Sequence, residues 1–178
     1  MAPGLLEYDD ALALLLNDAT PLTRMETIPL RETIGRVVAQ DIAAPSALPR
    51  FAASAMDGYA LRAEWTARAD QLTPVRLDVV GEVFAGDAPP VGASARGVLQ
   101  ISTGAALPEG YDSVIRKEDV ELGEDKAAIL LRAPVQRGNN VRMPGEDFDA
   151  GQRVISRGRR IGTRELAAPH RKLAAAQR

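Results

Sequence analysis

Val75-Arg76-Leu77-Asp78-Val79 alternates apolar and polar side chains, which puts the two valines and the leucine on one side of an extended backbone and the two charges on the other. A period of two is the mark of a strand buried on one face, and it predicts a strand over Val75–Val80. Working outward, Tyr59–Arg62, Gly97–Ile101, Ser113–Lys117 and Ala127–Leu131 have the same short, strand-like composition, with Gly and Pro between them. Several short strands punctuated by turn residues point to a small β-barrel or sandwich.

The flanks read differently. Leu5 to Asp18 spaces Leu5, Leu12, Leu15 and Leu16 on one helical face, with Glu7, Asp9 and Asp10 near the positive end of the helix dipole, and Thr20-Pro21 stops it. A short strand is expected over Met25–Leu30, a helical turn over Arg31–Gly35 and an extended piece over Arg36–Ala39. Pro45 and Pro49 make Ala43–Phe51 a linker. Gly138-Asn139-Asn140 and Pro144-Gly145 mark the exit from the strand-rich stretch. A strand over Gln152–Ser156, a turn at Gly158 and a helix over Thr163–Ala175 complete the chain. The expected fold is therefore α+β and β-rich. A barrel-like module of residues 46–142 is inserted in a mixed α/β domain built from residues 1–45 and 143–178.

Composition narrows the function. The 178 residues are 46% hydrophobic and 26% charged, proportions of a folded protein rather than a disordered tail. There is no cysteine, which removes disulfide scaffolds, thiol catalysis and zinc–cysteine sites together. The single histidine, His170, lies in a basic, poorly patterned end and is expected at the surface. A net charge of −2 argues against a dedicated nucleic-acid binder. That balance hides an asymmetry: residues 1–130 carry 11 basic and 20 acidic side chains, residues 131–178 carry 11 and 4. The basic end could face an anionic ligand or be a solvated tail. No run approaches a membrane span and no basic segment precedes an apolar core at the N-terminus, so a cytoplasmic protein is expected.

Three segments carry candidate chemistry. In Ser54-Ala55-Met56-Asp57-Gly58-Tyr59-Ala60, an acid before glycine among small residues can bring a carboxylate at a turn close to a ligand, and oxygen ligands of this kind suit Mg²⁺. Asp-Gly is equally a plain turn before a strand. Ser102-Thr103-Gly104-Ala105, with Pro108-Glu109-Gly110 closing the loop, offers a hydroxyl and backbone amides to a phosphate or oxyanion; a hydroxyl-assisted turn is the alternative. Gly145-Glu146-Asp147 could hold a metal, with Arg142 upstream to meet a phosphate, or could be a solvated turn. Glu118-Asp119 and the Arg157–Arg160 cluster read as surface charge.

Together, in this order and spacing, the three segments resemble the molybdopterin molybdenumtransferase family, the MoeA type, whose animal relative is the E domain of gephyrin. Ile34-Gly35-Arg36-Val37, Gly151-Gln152-Arg153-Val154 and Gly158-Arg159-Arg160-Ile161 support the likeness, which spans about residues 5 to 166. Ala52-Ala53 and Ser102 depart from the family's usual residues.

The resemblance implies an elongated domain I from the two ends and a β-rich domain II from the middle. It implies Mg²⁺-dependent insertion of molybdenum from molybdate into adenylylated molybdopterin, in a dimer whose cleft lies between the β-rich domain of one subunit and the third domain of its partner. By motif matching, Asp57, Thr103 and Asp147 would be the catalytic residues of this side of the cleft. Ser54, Met56, Gly58, Gly104 and Arg142 would contact the cofactor, and Asp57 with Asp147 would approach Mg²⁺. The family's third domain, with its molybdopterin-binding surface and molybdate site, has no counterpart in these residues, so the chain alone is expected to be inactive. It would act as a homodimer or with a partner chain that supplies the rest. A non-catalytic binding or dimerisation module derived from the family is the rival reading.

Overall fold

The computed structural model describes residues 6–20, 23–88, 97–123 and 127–167. It contains ten strands and two α-helices among these residues, besides short 3₁₀ turns: α1 (Tyr8–Asp18), β1 (Ile42–Ala43), β2 (Ala53–Ser54), β3 (Gly58–Leu61), β4 (Val75–Val83), β5 (Gly97–Ile101), β6 (Ser113–Arg116), β7 (Glu121–Leu122), β8 (Ala128–Leu131), β9 (Val141–Arg142), β10 (Arg153–Ile155) and α2 (Thr163–Ala167). The fold is mostly β, with few helices and a curled six-stranded half-barrel sheet. Two compact units are distinguished: residues up to 40 with those from 157 onward, and residues 41–156.

The larger unit is organised by the sheet, in the order β6-β3-β5-β4-β8-β7. All its neighbours are antiparallel except β4 and β5, which run parallel. Both faces are covered. Tyr59, Leu61, Leu77, Val98, Ile115, Ile129 and Leu131 pack into one apolar cluster. Ala60, Leu99, Ile101 and Val114, from alternate positions on three of the same strands, pack into a second with Ala105 and Tyr111. Complete burial of a side chain such as Leu61 or Ile129 contributes about 1.5–3 kcal/mol, which makes these two layers the main source of stability.

β4 serves both layers through one irregularity. The pairing steps from Val79↔Val98 to Gly81↔Leu99, leaving Val80 as an extra residue. The bulge switches the phase of the strand, so that Leu77 packs in the first cluster and Val83 in the second, although both are odd-numbered. The expected strand ending at Val80 therefore continues to Val83. Val80 itself is 48% exposed.

Two-residue pairings tie the edges of this unit. Ala53↔Arg142 and Ser54↔Val141 join β2 to β9, and Ile42↔Ile155 and Ala43↔Arg153 join β1 to β10. The Ala43–Phe51 segment is irregular as expected, with Leu48 bridging Phe148. β1, β2, β7 and β9 leave no mark in the local pattern.

In the smaller unit, α1 starts at Tyr8 and none of its residues is buried. The strand expected over Met25–Leu30 does not form. Leu30–Glu32 is a turn of 3₁₀ helix instead, closed by the Thr33 hydroxyl donating to the Leu30 carbonyl. Alternation alone does not make a strand, because backbone groups need a partner ladder. Arg36–Ala39 contributes only the bridge Val37↔Arg160, flanked by Gly35 N–H donating to the Ile161 carbonyl and Val38 N–H to the Arg159 carbonyl. Arg36 pairs with Glu26. α2 begins at Thr163 as expected; its predicted continuation to Ala175, and His170, lie outside the described residues. Among the described residues no helix is long and apolar enough to cross a membrane.

Candidate active site

Two of the three catalytic candidates meet. The Asp57 carboxylate lies at the tip of the loop between β2 and β3, and Thr103 follows β5. Because β3 and β5 are adjacent, with Gly58 opposite Ile101, these two loops emerge side by side. Asp57 Oδ1 accepts two hydrogen bonds from one residue, from Thr103 N–H at 2.8 Å and Thr103 Oγ1 at 2.8 Å. Asp57 Oδ2 faces Lys117 Nζ at 3.7 Å, and the side chains are 54% and 58% exposed. The Thr103 amide, its hydroxyl and the Lys117 ammonium, in that order of weight, hold the Asp57 carboxyl below the ordinary aspartate value of 3.8. The result is an ionised, solvent-facing carboxylate with one fixed oxygen.

The loop is braced from within. Ser54 is 1% exposed, and its hydroxyl donates to the Met56 carbonyl at 2.6 Å while Ser54 Oγ accepts from the Met56 N–H at 3.3 Å. The Ser54 carbonyl accepts from Gly104 N–H at 2.8 Å and the Ser54 N–H donates to the Ala105 carbonyl at 3.0 Å. Ser54, expected to contact a cofactor, is thus buried and its hydroxyl is used in shaping the turn. Gly58 is also buried, and the close approach that demands a glycine there is to β6 rather than to a ligand. A Cβ on Gly58 would overlap the Ile115 carbonyl oxygen and lie 2.8 Å from its carbon. Gly104 takes a positive φ of 82°, as the turn requires. Met56 is 41% exposed and open to a ligand.

The third catalytic candidate has other partners. Asp147 Oδ1 accepts from Arg142 Nη2 at 2.5 Å, and the Asp147 N–H donates to the Leu48 carbonyl at 2.9 Å. Arg142 forks, its Nε reaching Glu146 Oε1 at 3.1 Å, and Glu146 Oε2 accepts from Met143 N–H at 3.2 Å. These two carboxylates raise the Arg142 guanidinium above its ordinary value. Arg142, expected to meet a phosphate, is the centre of an exposed ion cluster, and Asp147 is bonded to it rather than to Asp57 or Thr103.

This bears on Mg²⁺. Octahedral Mg²⁺ is held by carboxylates together with waters or phosphate oxygens. Here Asp57 and Asp147 each already face a cation, Lys117 and Arg142 respectively, and among the described residues no three His, Cys, Asp or Glu side chains gather at one point. The donor set of the described residues does not fit a resident Mg²⁺. Lys117 was not singled out by the sequence, since the register that sets it beside Asp57 leaves no local mark.

Comparison with known proteins places these loops in a family. Residues 6–170 match the model described as MoeA N-terminal region (domain I and II). The chain is 41% identical over 159 residues to the molybdopterin molybdenumtransferase of Synechococcus elongatus, covering 88% of this chain and 39% of that protein. It is 34% identical over 157 residues to that of Haemophilus influenzae, covering 88% and 37%. A crystal structure of the molybdopterin biosynthesis moeA protein from Pyrococcus horikoshii superimposes with a TM-score of 0.86 at 35% identity, covering 94% of this chain and 44% of that one. The chain thus spans about two-fifths of the length of these relatives. Carrying the family's N-terminal motifs on the family's N-terminal fold, it belongs to the molybdopterin molybdenumtransferase family through the MoeA N-terminal region.

Proposed function

We propose that this chain supplies the β-domain half of the site at which molybdate is inserted into adenylylated molybdopterin. The observation that carries the reading is the Asp57–Thr103 pair, an ionised carboxylate and a hydroxyl held together at the exposed ends of adjacent loops. The buried bonds of Ser54 and the turn at Gly104 keep that pair in place before any ligand arrives, which lowers the ordering cost of binding. Thr103 Oγ1, whose proton goes to Asp57 Oδ1, would hold that carboxylate toward the substrate, Met56 would offer apolar contact, and Arg142 would position Glu146 and Asp147 at a second point of the same half-site. Among the described residues no carboxylates gather into a cage for Mg²⁺, and the roles above involve none.

Residues 1–45 with 143–178 correspond to the family's domain I, residues 46–142 to its domain II, and the second is inserted in the first. The other half of the site comes from a second copy or a partner chain, in the cytoplasm, with no nucleic acid or membrane involved.

A chimaera tests the reading. Residues 6–167 of this chain replace the matched stretch of the Synechococcus elongatus enzyme, and AMP release from adenylylated molybdopterin is followed with molybdate and Mg²⁺ present. The chimaera should turn over and its Asp57→Ala variant should not, while this chain alone releases no AMP above background. Equal turnover per folded molecule in the parent chimaera and the variant would overturn the assignment.

A further inference from the structure

Asp57 has two unequal oxygens. Oδ1 is saturated by the amide and hydroxyl of Thr103, which leaves Oδ2 as the side from which a cation can approach. That side is faced by the Lys117 ammonium at 3.7 Å. Lys117 is there by construction. Gly58 pairs with Arg116, so the next residue of that edge falls beside Asp57, and the Lys117 N–H donates to the Asp57 carbonyl at 3.2 Å. The neighbouring Arg116 is held by Asp119, through bonds of 2.7 and 2.8 Å, so its guanidinium is engaged away from Asp57.

We infer that Lys117 is the built-in counter-cation of Asp57, standing where a divalent metal would otherwise approach the carboxylate. A metal at Oδ2 would bring two positive charges against the ammonium within a few ångströms, a repulsion that survives in part even in water. The inference deepens the reading of Asp57 given above. Its test, however, measures metal binding by the chain itself and involves no turnover, so either can fail without the other.

The probe is Mn²⁺, titrated into ¹⁵N-labelled chain while the amide signals of Gly58 and Thr103 are followed for paramagnetic broadening. The unaltered chain should broaden only at high Mn²⁺. Lys117→Gln and Lys117→Met, which remove the charge from a 58% exposed side chain, should broaden the same signals at about fivefold lower Mn²⁺. Lys117→Arg should behave as the unaltered chain, and adding Asp57→Asn to Lys117→Gln should abolish the gain. Identical titrations for the unaltered chain and both neutral variants would overturn the inference. So would a gain that persists without the Asp57 carboxylate, or one shared by Lys117→Arg.

Discussion

Gly58 and Ile115 are packed backbone against backbone: a Cβ on the glycine would overlap the Ile115 carbonyl oxygen and lie 3.0 Å from Arg116 Cα. This approach sets β3 against β6 and carries Lys117 to Asp57. The glycine of the most distinctive segment in the chain therefore serves the sheet first and the site through it.

Gly58→Ala should consequently destabilise the protein by about 3 kcal/mol, because neither backbone can yield without disturbing a strand buried on both faces. Urea unfolding followed by circular dichroism measures it. A loss under about 0.5 kcal/mol would show that β6 can move away freely.

Gly97 makes a different clash, against a side chain. A Cβ there would meet Val80, lying 2.6 Å from its Cγ2 and 3.0 Å from its Cβ. Val80 is the extra residue of the bulge and is half exposed, so it has room to give. Gly97→Ala should cost about 1–2 kcal/mol, and Val80→Ala in the same chain should recover part of it. Strict additivity of the two changes in thermal or urea unfolding would refute this coupling.

The Asp57 carboxyl should titrate below 3.8 in ¹³C-detected NMR. Its folded value is depressed relative to the unfolded chain, so the stability it contributes is present above 3.8 and is lost as pH falls through the lower folded value. Thr103→Val removes the hydroxyl and keeps the amide, which is the larger cause. The midpoint should rise only part of the way back toward 3.8. A return to the full ordinary value would mean that the hydroxyl alone holds the charge.

Arg142 holds Glu146 and Asp147 through two different nitrogens. Arg142→Met should speed hydrogen exchange of the Met143 amide a few-fold, since its acceptor Glu146 loses its anchor. Arg142→Lys should fall between the two, because one ammonium cannot reproduce the fork. Equal exchange in all three proteins would show that the loop is set by its backbone bonds alone.

Much was legible in the chain. The alternation of Val75 to Val79, the apolar runs at Gly97–Ile101 and Ala128–Leu131, and the glycine and proline punctuation determine a β-rich fold, because side-chain period and turn preference are local properties. The segments around Asp57, Thr103 and Asp147 likewise disclosed the family. What the tertiary structure alone decided concerns partners. The Met25–Leu30 pattern lacks a ladder to join, and the bulge at Val80 becomes visible only against β5. Ser54 is turned inward by a turn that needs Gly104 and Ala105 from another strand's end. The register of β3 on β6 gives Asp57 a lysine, and the fork of Arg142 gives Asp147 a different neighbour from the one its motif suggested. Register and charge pairing join residues dozens of positions apart, and no local period records which residue will face which.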